Sequence, residues 1–301
     1  MDVSTHPGKP NFLGIGAQKC ATTWVHRVLL DHPQAAVSDL KELNFFSAAY
    51  DHGAQWYESH FEDKSGLAVG EISPSYFYDS AAPARAKAYN PDFKVILTVR
   101  DPLARAYSNH LHEIRIGHFR GTDLSFEAGI ANNPMYLEQS LYAKHFRKWL
   151  THFDRDRILV LIQEEIENDP VAQARKLYEF LGLNASHQSI FLFRRVNQSY
   201  EEKLKGMNKV LRTFGQVGRR IGAGTIINRL RRHPAINAVR EANQRHLNEV
   251  VPPMSVQVRT DLQNILGTDA RAFATLINRT DLPWPTLLDG SMQAAAKAKL
   301  G

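Results

Sequence analysis

The chain has 301 residues, a net charge of +6 and 43% hydrophobic residues, which fit a soluble globular fold that needs no disulfide or metal ion for stability. Its single cysteine, Cys20, excludes an internal disulfide and predicts a cytoplasmic location, where thiols stay reduced. No apolar stretch reaches the roughly 18 residues that span a bilayer, and residues 1–10 lack the apolar centre of a signal peptide, so we expect neither feature.

Apolar runs and helix signals alternate along the first part of the chain. Strands are predicted at residues 12–15, 68–73, 93–99 and 157–162. Helices are predicted at residues 22–30, 102–116 and 170–181. The alternation indicates a three-layer α/β fold with a mostly parallel central sheet and a P-loop-like loop after the first strand.

The positive charge is concentrated in one segment. Residues 194–245 contain 13 Lys and Arg but only three Glu. One interpretation is a solvated helical face. The other is a surface that meets an anionic co-substrate, an anionic polymer or lipid headgroups.

The chain is interpreted as a single domain over residues 1–285. Within it, residues 200–255 are expected to form a helical, basic flap. Residues 258–277 are expected to form a pair of helices. Residues 282–284 are expected to pack back on the body, and residues 286–301 to form a disordered tail.

The stretch FLGIGAQKCATTW, residues 12–24, has the layout of a phosphate-binding loop. Backbone N–H groups at a helix N-terminus attract an anion, the hydroxyls of Thr22 and Thr23 can donate to it, and Lys19 can reach its far side. In a kinase-type loop the lysine directly precedes the hydroxyl residue, whereas three residues separate Lys19 from Thr23, and the third glycine of a dinucleotide fingerprint is also absent. The alternative is an ordinary strand–turn–helix corner.

A second anion site is predicted at Arg100. This residue directly follows the strand at 93–99, and open α/β sheets bind ligands at the carboxyl ends of their strands. Ser108 lies eight residues later on the next helix, and an arginine fork with a hydroxyl suits a separate phosphate. Arg105, on the same helix, is interpreted as a surface residue, and the alternative is that it helps to bind this phosphate.

Two segments, GIGAQKCATTW and VRDPLARAYSNH, resemble the paired phosphate motifs of sulfotransferases that use 3′-phosphoadenosine 5′-phosphosulfate (PAPS). LKELNFFS and GEISPSYFY resemble segments of the heparan sulfate N- and 3-O-sulfotransferases and their bacterial relatives. The resemblance covers about residues 11–200, with a weaker part at 258–284. It implies PAPS as the co-substrate of the P-loop-like loop, and no metal ion.

The resemblance also implies roles for individual residues. Those that would bind the co-substrate are Gly16, Ala17, Lys19, Thr22, Thr23, Trp24, Arg100, Ser108 and Arg195. Lys19 would also stabilise negative charge on the oxygen that the sulfuryl group leaves. Arg100 and Ser108 would bind the 3′-phosphate. Trp24 is interpreted either as a contact of the adenine or as a core aromatic.

Glu42, in the segment KELNFF, resembles the catalytic base of the heparan-type enzymes. A glutamate side chain is ordinarily a carboxylate at neutral pH, so it can accept a proton there. Lys41 beside it would hold the sulfuryl oxygens, and the alternative is that both residues form an exposed turn. A histidine base stays open, with His110 and His112 nearest to the second motif.

This sequence departs from the heparan-type pattern on the acceptor side of the site. That pattern has histidine at the position of Asn44, aspartate at that of Ser47 and lysine at that of Ile72. The departures argue against a heparan-like acceptor. Ser73 is expected to keep a polar contact near the nucleotide.

The predicted function is in-line sulfuryl transfer from PAPS to a hydroxyl or amine of a carbohydrate, glycolipid or small molecule, with a carboxylate base. One alternative is a P-loop kinase, against which the placement of Lys19 and the Arg100–Ser108 pair count. Another is a basic module that binds nucleic acid or a membrane surface through residues 194–245. That reading leaves both motifs unexplained, so we expect no nucleic acid partner, whereas a membrane-surface contact of the flap stays open.

Overall fold

The computed structural model describes residues 9–61, 66–119, 123–193, 200–202, 244–246 and 251–287. These residues divide into two compact units. The first contains the described residues up to Asn109, those of 133–193 and those from Ser255 onward. The second contains His110–Asn132 and the described residues between 200 and 254. A single domain over residues 1–285 stays a prediction.

The first unit is built on a five-stranded sheet in which all strands run parallel. The strands are β1 (Phe12–Gly16), β2 (Ala35–Val37), β3 (Ala68–Ile72), β4 (Lys94–Val99) and β5 (Ile158–Ile162). Their order across the sheet is β2-β3-β1-β4-β5. The predicted parallel α/β fold is confirmed, and the four predicted strands are present with ends shifted by one residue. The edge strand β2 was not predicted, because three residues are too few to show a periodicity.

The helices follow the strands in the alternating order that the sequence predicts. They are α1 (Thr22–Leu30), α2 (Gly53–Ser59), α3 (Ala82–Tyr89), α4 (Pro102–Ile116), α5 (Phe126–Asn132), α6 (Met135–Glu138), α7 (Tyr142–Leu150), α8 (Gln163–Asn168), α9 (Pro170–Leu181) and α10 (Val256–Leu276). None of these described helices combines the length and apolar character that crossing a bilayer requires.

Both faces of the sheet are covered by apolar side chains, which makes three layers. Along β4, Val95, Leu97 and Val99 belong to one buried cluster, which includes residues of α7 and α10. Ile96 belongs to a second buried cluster, which includes residues of α1 and α9. Successive residues of a strand point to opposite faces, so a nearly all-apolar strand is the sequence expected between two helical layers.

Two helices begin at Asp-Pro pairs, as the sequence predicts. The Asp101 carboxylate accepts a hydrogen bond from the backbone N–H of Ala104 at 2.9 Å, and that of Asp169 accepts one from Ala172 at 2.9 Å. The second of these helices, α9, ends at Gly182, whose φ of 78° is the left-handed conformation typical of a helix end.

The predicted helical pair at residues 258–277 is wrong, because α10 is one continuous helix. Gly267 lies inside it, where an added Cβ would come within 3.2 Å of the carbonyl oxygen of Thr286. The glycine therefore permits a close approach of the backbone at Thr286 and does not break the helix.

Residues 282–284 pack back on the body, as expected. Trp284 is 1% exposed, and its indole N–H donates to the Glu164 carboxylate at 3.3 Å. The predicted tail begins too early, because the backbone N–H of Thr286 donates to Asp101 at 2.8 Å within a short 3-10 helix, Pro285–Leu287. The buried carboxylate of Asp101 and the half-buried carboxylate of Glu164 hold this segment, and composition cannot reveal such a tertiary contact. The remainder of the predicted tail lies outside the described residues.

The second unit contains two short antiparallel strands, β6 (Tyr200–Glu202) and β7 (Gln244–His246). Both lie in the segment predicted to be helical, so the prediction is wrong for these residues. Their pairing joins positions far apart in the chain, and periodicity within one segment carries no information about it. Residues 251–255 of the predicted basic flap are described and lie outside any helix, whereas residues 203–243 and 247–250 lie outside the described residues.

Candidate active site

The two predicted anion motifs lie at the same edge of the sheet. The chain leaves β1 toward β2 on one side, and it leaves β4 toward β5 on the other side. The adjacent carboxyl ends of β1 and β4 therefore form the topological switch point, where open α/β sheets bind ligands. The first motif follows β1, and Arg100 follows β4.

The loop after β1 has a backbone conformation that few sequences adopt. Gly16 has a φ of 140°, and an added Cβ would lie 2.9 Å from the carbonyl oxygen of Pro74, so only glycine fits. Lys19 and Ala21 have φ values of 69° and 59°, in the left-handed region that is costly for such residues and concentrated at functional sites. Left-handed residues within a turn gather backbone N–H groups into a concavity that suits an anion.

Thr22 and Thr23 form the first turn of α1, directly after this loop. Thr22 is buried, whereas Thr23 and Lys19 are half-buried. The predicted phosphosulfate ligands therefore lie together at one helix N-terminus, and their contacts with PAPS stay a prediction.

Cys20 is a residue of this loop whose side chain packs into the core. Its thiol is fully buried and lies 3.6 Å from the Tyr142 hydroxyl. Burial raises the pKa of the thiol to about 11, although the positive charges of Arg105 and Arg100 oppose this rise. The thiol is therefore neutral at physiological pH and serves packing rather than nucleophilic chemistry.

Arg100 lies close enough to the first loop for its charge to act on the Cys20 thiol. Its Nε is buried without a hydrogen-bond partner. A buried donor left unpaired costs free energy, and a phosphate group has the geometry that matches the guanidinium fork. This orphaned donor fits a second anion site.

Arg105 is fully buried, so its interpretation as a surface residue is wrong. Its Nε donates to the Ser140 hydroxyl at 2.6 Å, one terminal nitrogen donates to the Gln139 side chain at 3.2 Å, and the other donates to the carbonyl oxygen of Tyr136. These acceptors are neutral and do not compensate the charge of Arg105. Its positive charge therefore adds to the positive electrostatic potential at the two anion motifs. Ser108 is half-buried and lies one helical turn from Arg105, on the same face of α4.

The predicted base loop, residues 41–46 (KELNFF), lies beside α1. Glu42 is 47% exposed, has a φ of 65° and forms an ion pair with Lys41. On α1, burial lowers the pKa of His26; the Lys41 charge lowers it further, and Glu42 acts in the opposite sense. The pair is therefore near α1, whose first turn follows the Lys19 loop.

Neutral polar groups occupy the acceptor-side positions that depart from the heparan pattern. The Asn44 side-chain oxygen accepts a hydrogen bond from Ser75 at 2.6 Å, and the Ser47 and Ser75 hydroxyls are 2.9 Å apart. The backbone N–H of Asn44 donates to the Ser73 hydroxyl at 2.9 Å. Ser73 is buried and bound into this network, and the contact near the nucleotide expected of it stays a prediction.

Trp24 is buried, and its indole N–H donates to the carbonyl oxygen of Leu192 at 3.1 Å. It belongs to the same apolar cluster as Val28 and Leu177. This placement agrees with the core-aromatic interpretation, and the contact with adenine stays a prediction. Arg195 lies outside the described residues.

The two histidines considered as alternative bases are held by local contacts. His110 is buried, its Nε2 lies 3.0 Å from the carbonyl oxygen of Leu124, and burial lowers its pKa. His112 accepts a hydrogen bond from Arg115 at 2.8 Å. Neither contact connects these residues with the base loop.

Glu71 and Glu164 were missed by the sequence reasoning. Glu71 lies in the fully buried strand β3, and Glu164 accepts a hydrogen bond from the backbone N–H of Asp101 at 2.8 Å. A glutamate inside an apolar strand was a usable signal, because a buried carboxylate requires specific partners. Among the described residues, no group of His, Cys, Asp and Glu has the arrangement of a metal site.

The model of the sulfotransferase domain family matches residues 9–213, more than half of the chain. The chain belongs to the sulfotransferase domain family. It is 33% identical over 181 residues to the heparan sulfate glucosamine 3-O-sulfotransferase 3B1 of Mus musculus, which covers 58% of this chain and 46% of that protein. It is 30% identical over 200 residues to the bifunctional heparan sulfate N-deacetylase/N-sulfotransferase 4 of Mus musculus, which covers 58% of this chain and 22% of that protein.

A solved sulfotransferase from Alicyclobacillus acidocaldarius shares the fold. Its TM-score is 0.65 over 91% of this chain and 97% of that chain, at 22% sequence identity. This sulfotransferase-family chain spans about half the length of the 3-O-sulfotransferases that it matches and about a fifth of the N-deacetylase/N-sulfotransferase. The resemblance inferred from the two motifs is thereby confirmed for family and fold.

Proposed function

We propose that this sulfotransferase-family protein transfers the sulfuryl group of PAPS to a hydroxyl or amine of an acceptor. One relationship supports this most directly: hydrogen bonds join the two donor clusters, which are the loop after β1 that carries Lys19 and the end of β4 that leads to Arg100. The backbone N–H of Ala17 donates to the carbonyl oxygen of Thr98 at 2.6 Å, and the Thr98 hydroxyl donates to the carbonyl oxygen of Gly16 at 2.9 Å. Arg100, with its orphaned Nε, follows two residues later.

The two clusters suit a molecule with two separate anionic groups. The left-handed loop around Lys19, with the hydroxyls of Thr22 and Thr23, would hold the 5′-phosphosulfate. Arg100 and Ser108 would hold the 3′-phosphate, which distinguishes PAPS from ATP-like nucleotides. The buried positive charge of Arg105 favours both anions without contacting them.

PAPS supplies the sulfuryl group when bound, and its sulfur–oxygen bond to the phosphate breaks as sulfur bonds to the acceptor. The Lys19 ammonium stabilises the negative charge that develops on the departing oxygen. The Glu42 carboxylate accepts the proton that the acceptor hydroxyl or amine loses. Lys41, paired with Glu42, compensates charge on the sulfuryl oxygens. The products are the sulfated acceptor and adenosine 3′,5′-bisphosphate.

The acceptor is a carbohydrate, a glycolipid or a small molecule. Relatives named for heparan sulfate support a glycan class, whereas Asn44 and Ser47 argue against heparan itself, because they supply neutral groups where the heparan-type pattern has histidine and aspartate. The basic residues of 194–245 favour an anionic acceptor or a membrane surface that carries it, with no nucleic acid partner. The single cysteine supports a cytoplasmic location.

The proposal is tested by two measurements on the full chain. Calorimetry compares adenosine 3′,5′-bisphosphate without metal, ATP with magnesium, and single-stranded DNA. Transfer of sulfur-35 from labelled PAPS is then screened against glycans, glycolipids and small phenols or amines. We expect the bisphosphate to bind, and ATP with magnesium and DNA not to bind. We also expect transfer of labelled sulfuryl groups to at least one class of acceptor.

Glu42→Gln separates binding from chemistry. We expect it to retain the bisphosphate affinity and to lose turnover at least about a hundredfold, within the range of general acid–base catalysis. Glu179→Gln, an exposed change on α9, is the matched control and should leave both unchanged. Tight ATP–magnesium binding without bisphosphate binding would contradict the sulfotransferase proposal, and normal turnover of Glu42→Gln would contradict only the choice of base.

A further inference from the structure

A carboxylate lies in the interior of the sheet beside the base loop. Glu71 is 1% exposed in β3, whose residues are all buried. An ionised carboxylate in an apolar strand is costly unless every lone pair finds a donor. The predicted mechanism gives this residue no role, so its partners are informative.

Three donors converge on the Glu71 carboxylate. The Ser73 hydroxyl donates to one oxygen at 2.7 Å, and the Tyr76 hydroxyl donates to the other at 2.6 Å. The backbone N–H of Leu43 also hydrogen-bonds to it. Two of these partners follow β3 directly, whereas Leu43 belongs to the base loop.

The base loop is therefore bound to Glu71 at two successive residues. Leu43 donates to the carboxylate directly, and the backbone N–H of Asn44 donates at 2.9 Å to the Ser73 hydroxyl that itself donates to Glu71. Glu42 and Asn44 both have left-handed backbones, with φ values of 65° and 53°. Such conformations are held only where surrounding contacts determine them, and these hydrogen bonds are such contacts.

We propose that Glu71 is a positioning residue for sulfuryl transfer, whose buried carboxylate holds the backbone of Leu43 and Asn44 so that Glu42 faces the acceptor. The inference rests on the proposed function, since it takes Glu42 as the base. In this role Glu71 contacts neither the co-substrate nor the acceptor. Its effect passes through the backbone of the loop.

Charge supports the same connection. Burial raises the pKa of Glu71 to about 7; hydrogen bonds from Tyr76 and Ser73 oppose the rise, and the negative charge of Glu42 adds to it. Tyr57, on α2, also couples electrostatically to Glu71, and burial raises the pKa of Tyr57 well above its ordinary value. The carboxylate therefore gains a proton near neutral pH and then accepts fewer of the hydrogen bonds that fix the loop.

Glu71→Gln tests the proposal in the full chain. The amide keeps the size of the side chain but replaces one acceptor oxygen with a donor, so it cannot accept from both Ser73 and Tyr76. We expect turnover to fall by about 30- to 100-fold, the effect of misplacing a catalytic group by about an ångström. The bisphosphate affinity and the KM for PAPS should stay within about twofold. The fall in wild-type turnover below about pH 7 should be absent from Glu71→Gln.

Tyr57→Phe is the matched control, because it removes a buried hydroxyl of the same core that has no hydrogen-bond partner. It should retain wild-type turnover. Ser73→Ala provides an independent variant should Glu71→Gln fail to fold. It removes the hydroxyl that links Glu71 to the backbone N–H of Asn44. It should lower turnover and leave bisphosphate binding unchanged.

The outcomes separate this inference from the function on which it rests. Loss of turnover in Glu42→Gln with normal turnover in Glu71→Gln and Ser73→Ala would overturn the positioning role and leave the base assignment intact. Normal turnover in all three would overturn the base assignment itself. Equal losses of bisphosphate binding and turnover in Glu71→Gln would show a structural role only, which also overturns the proposal.

Discussion

Ala17 and Thr98 are joined backbone to backbone, with the N–H of Ala17 donating to the carbonyl oxygen of Thr98 at 2.6 Å. This bond continues the pairing of β1 with β4 one step beyond Gly16, across a shift in register between Gly14 and Gly16. The loop that carries Lys19 therefore starts at a fixed distance from the strand that ends at Arg100. Because the two donor clusters are held at a fixed distance, they favour a ligand whose two anionic groups are separated by the same distance.

Gly16→Ala should destabilise the protein by roughly 2–4 kcal/mol, because its φ of 140° and contacts of 2.9 Å with Phe77 and the carbonyl oxygen of Pro74 leave no room for a Cβ. The measurement is urea unfolding. Gly53→Ala is the control: its φ is 82° but nothing lies within 4 Å of the added Cβ, so only about 1 kcal/mol is expected. Equal losses for the two variants would show that packing against residues 74 and 77 is unimportant.

Arg100→Ala should weaken binding of adenosine 3′,5′-bisphosphate by about a hundredfold, since it removes a charge-assisted fork at the second anion site. Titration calorimetry at constant ionic strength measures the change. Arg157→Ala is the matched control. Arg157 lies at the amino end of β5, whereas Arg100 lies at the carboxyl end of β4, and Arg157 donates to the carbonyl oxygen of Asp92. An affinity within twofold of wild type for Arg100→Ala would remove this residue from the site.

The Cys20 thiol should resist alkylation in the folded protein. Its pKa of about 11 leaves a thiolate fraction at pH 8 at least about a hundredfold below that of a free cysteine, and burial slows access further. As Cys20 is the only cysteine, iodoacetamide labelling followed by mass spectrometry reports on this site alone. Urea should restore rapid labelling, whereas fast labelling of the native chain would contradict the buried thiol.

The unfolding free energy should depend on pH through Glu71. Its folded-state pKa of about 7 exceeds the ordinary 4.5, so the native state keeps a proton that the unfolded chain has lost between these values. The native state therefore loses roughly 3 kcal/mol of stability as pH rises from below 4.5 to above 7, and the loss levels off once Glu71 is fully ionised. Denaturant unfolding between pH 5 and 8 should show this decline in wild type and not in Glu71→Gln. Parallel curves for the two proteins would exclude a titrating Glu71.

Local patterns were sufficient for much of the fold. The run at 93–99 is apolar because both faces of β4 are covered, and the Asp-Pro and Leu-Gly pairs mark the ends of α9 because capping is a local property. The residues of both anion motifs follow their strands for the same reason, so their places at the sheet edge were predictable.

The sequence by itself determined four strands of the parallel sheet, the helices α1, α4 and α9, and the family, because periodicity, capping and motif spacing are properties of neighbouring residues. The tertiary structure decided that Arg105 is buried, that Trp24 packs in the core and that Glu71 binds the base loop. Each of these depends on partners distant in the chain, such as Ser140 for Arg105 and Leu192 for Trp24. Hydrogen bonding and burial of a polar side chain are set by such partners. A local pattern can signal a buried carboxylate, as the apolar strand around Glu71 does, but it does not identify the partners.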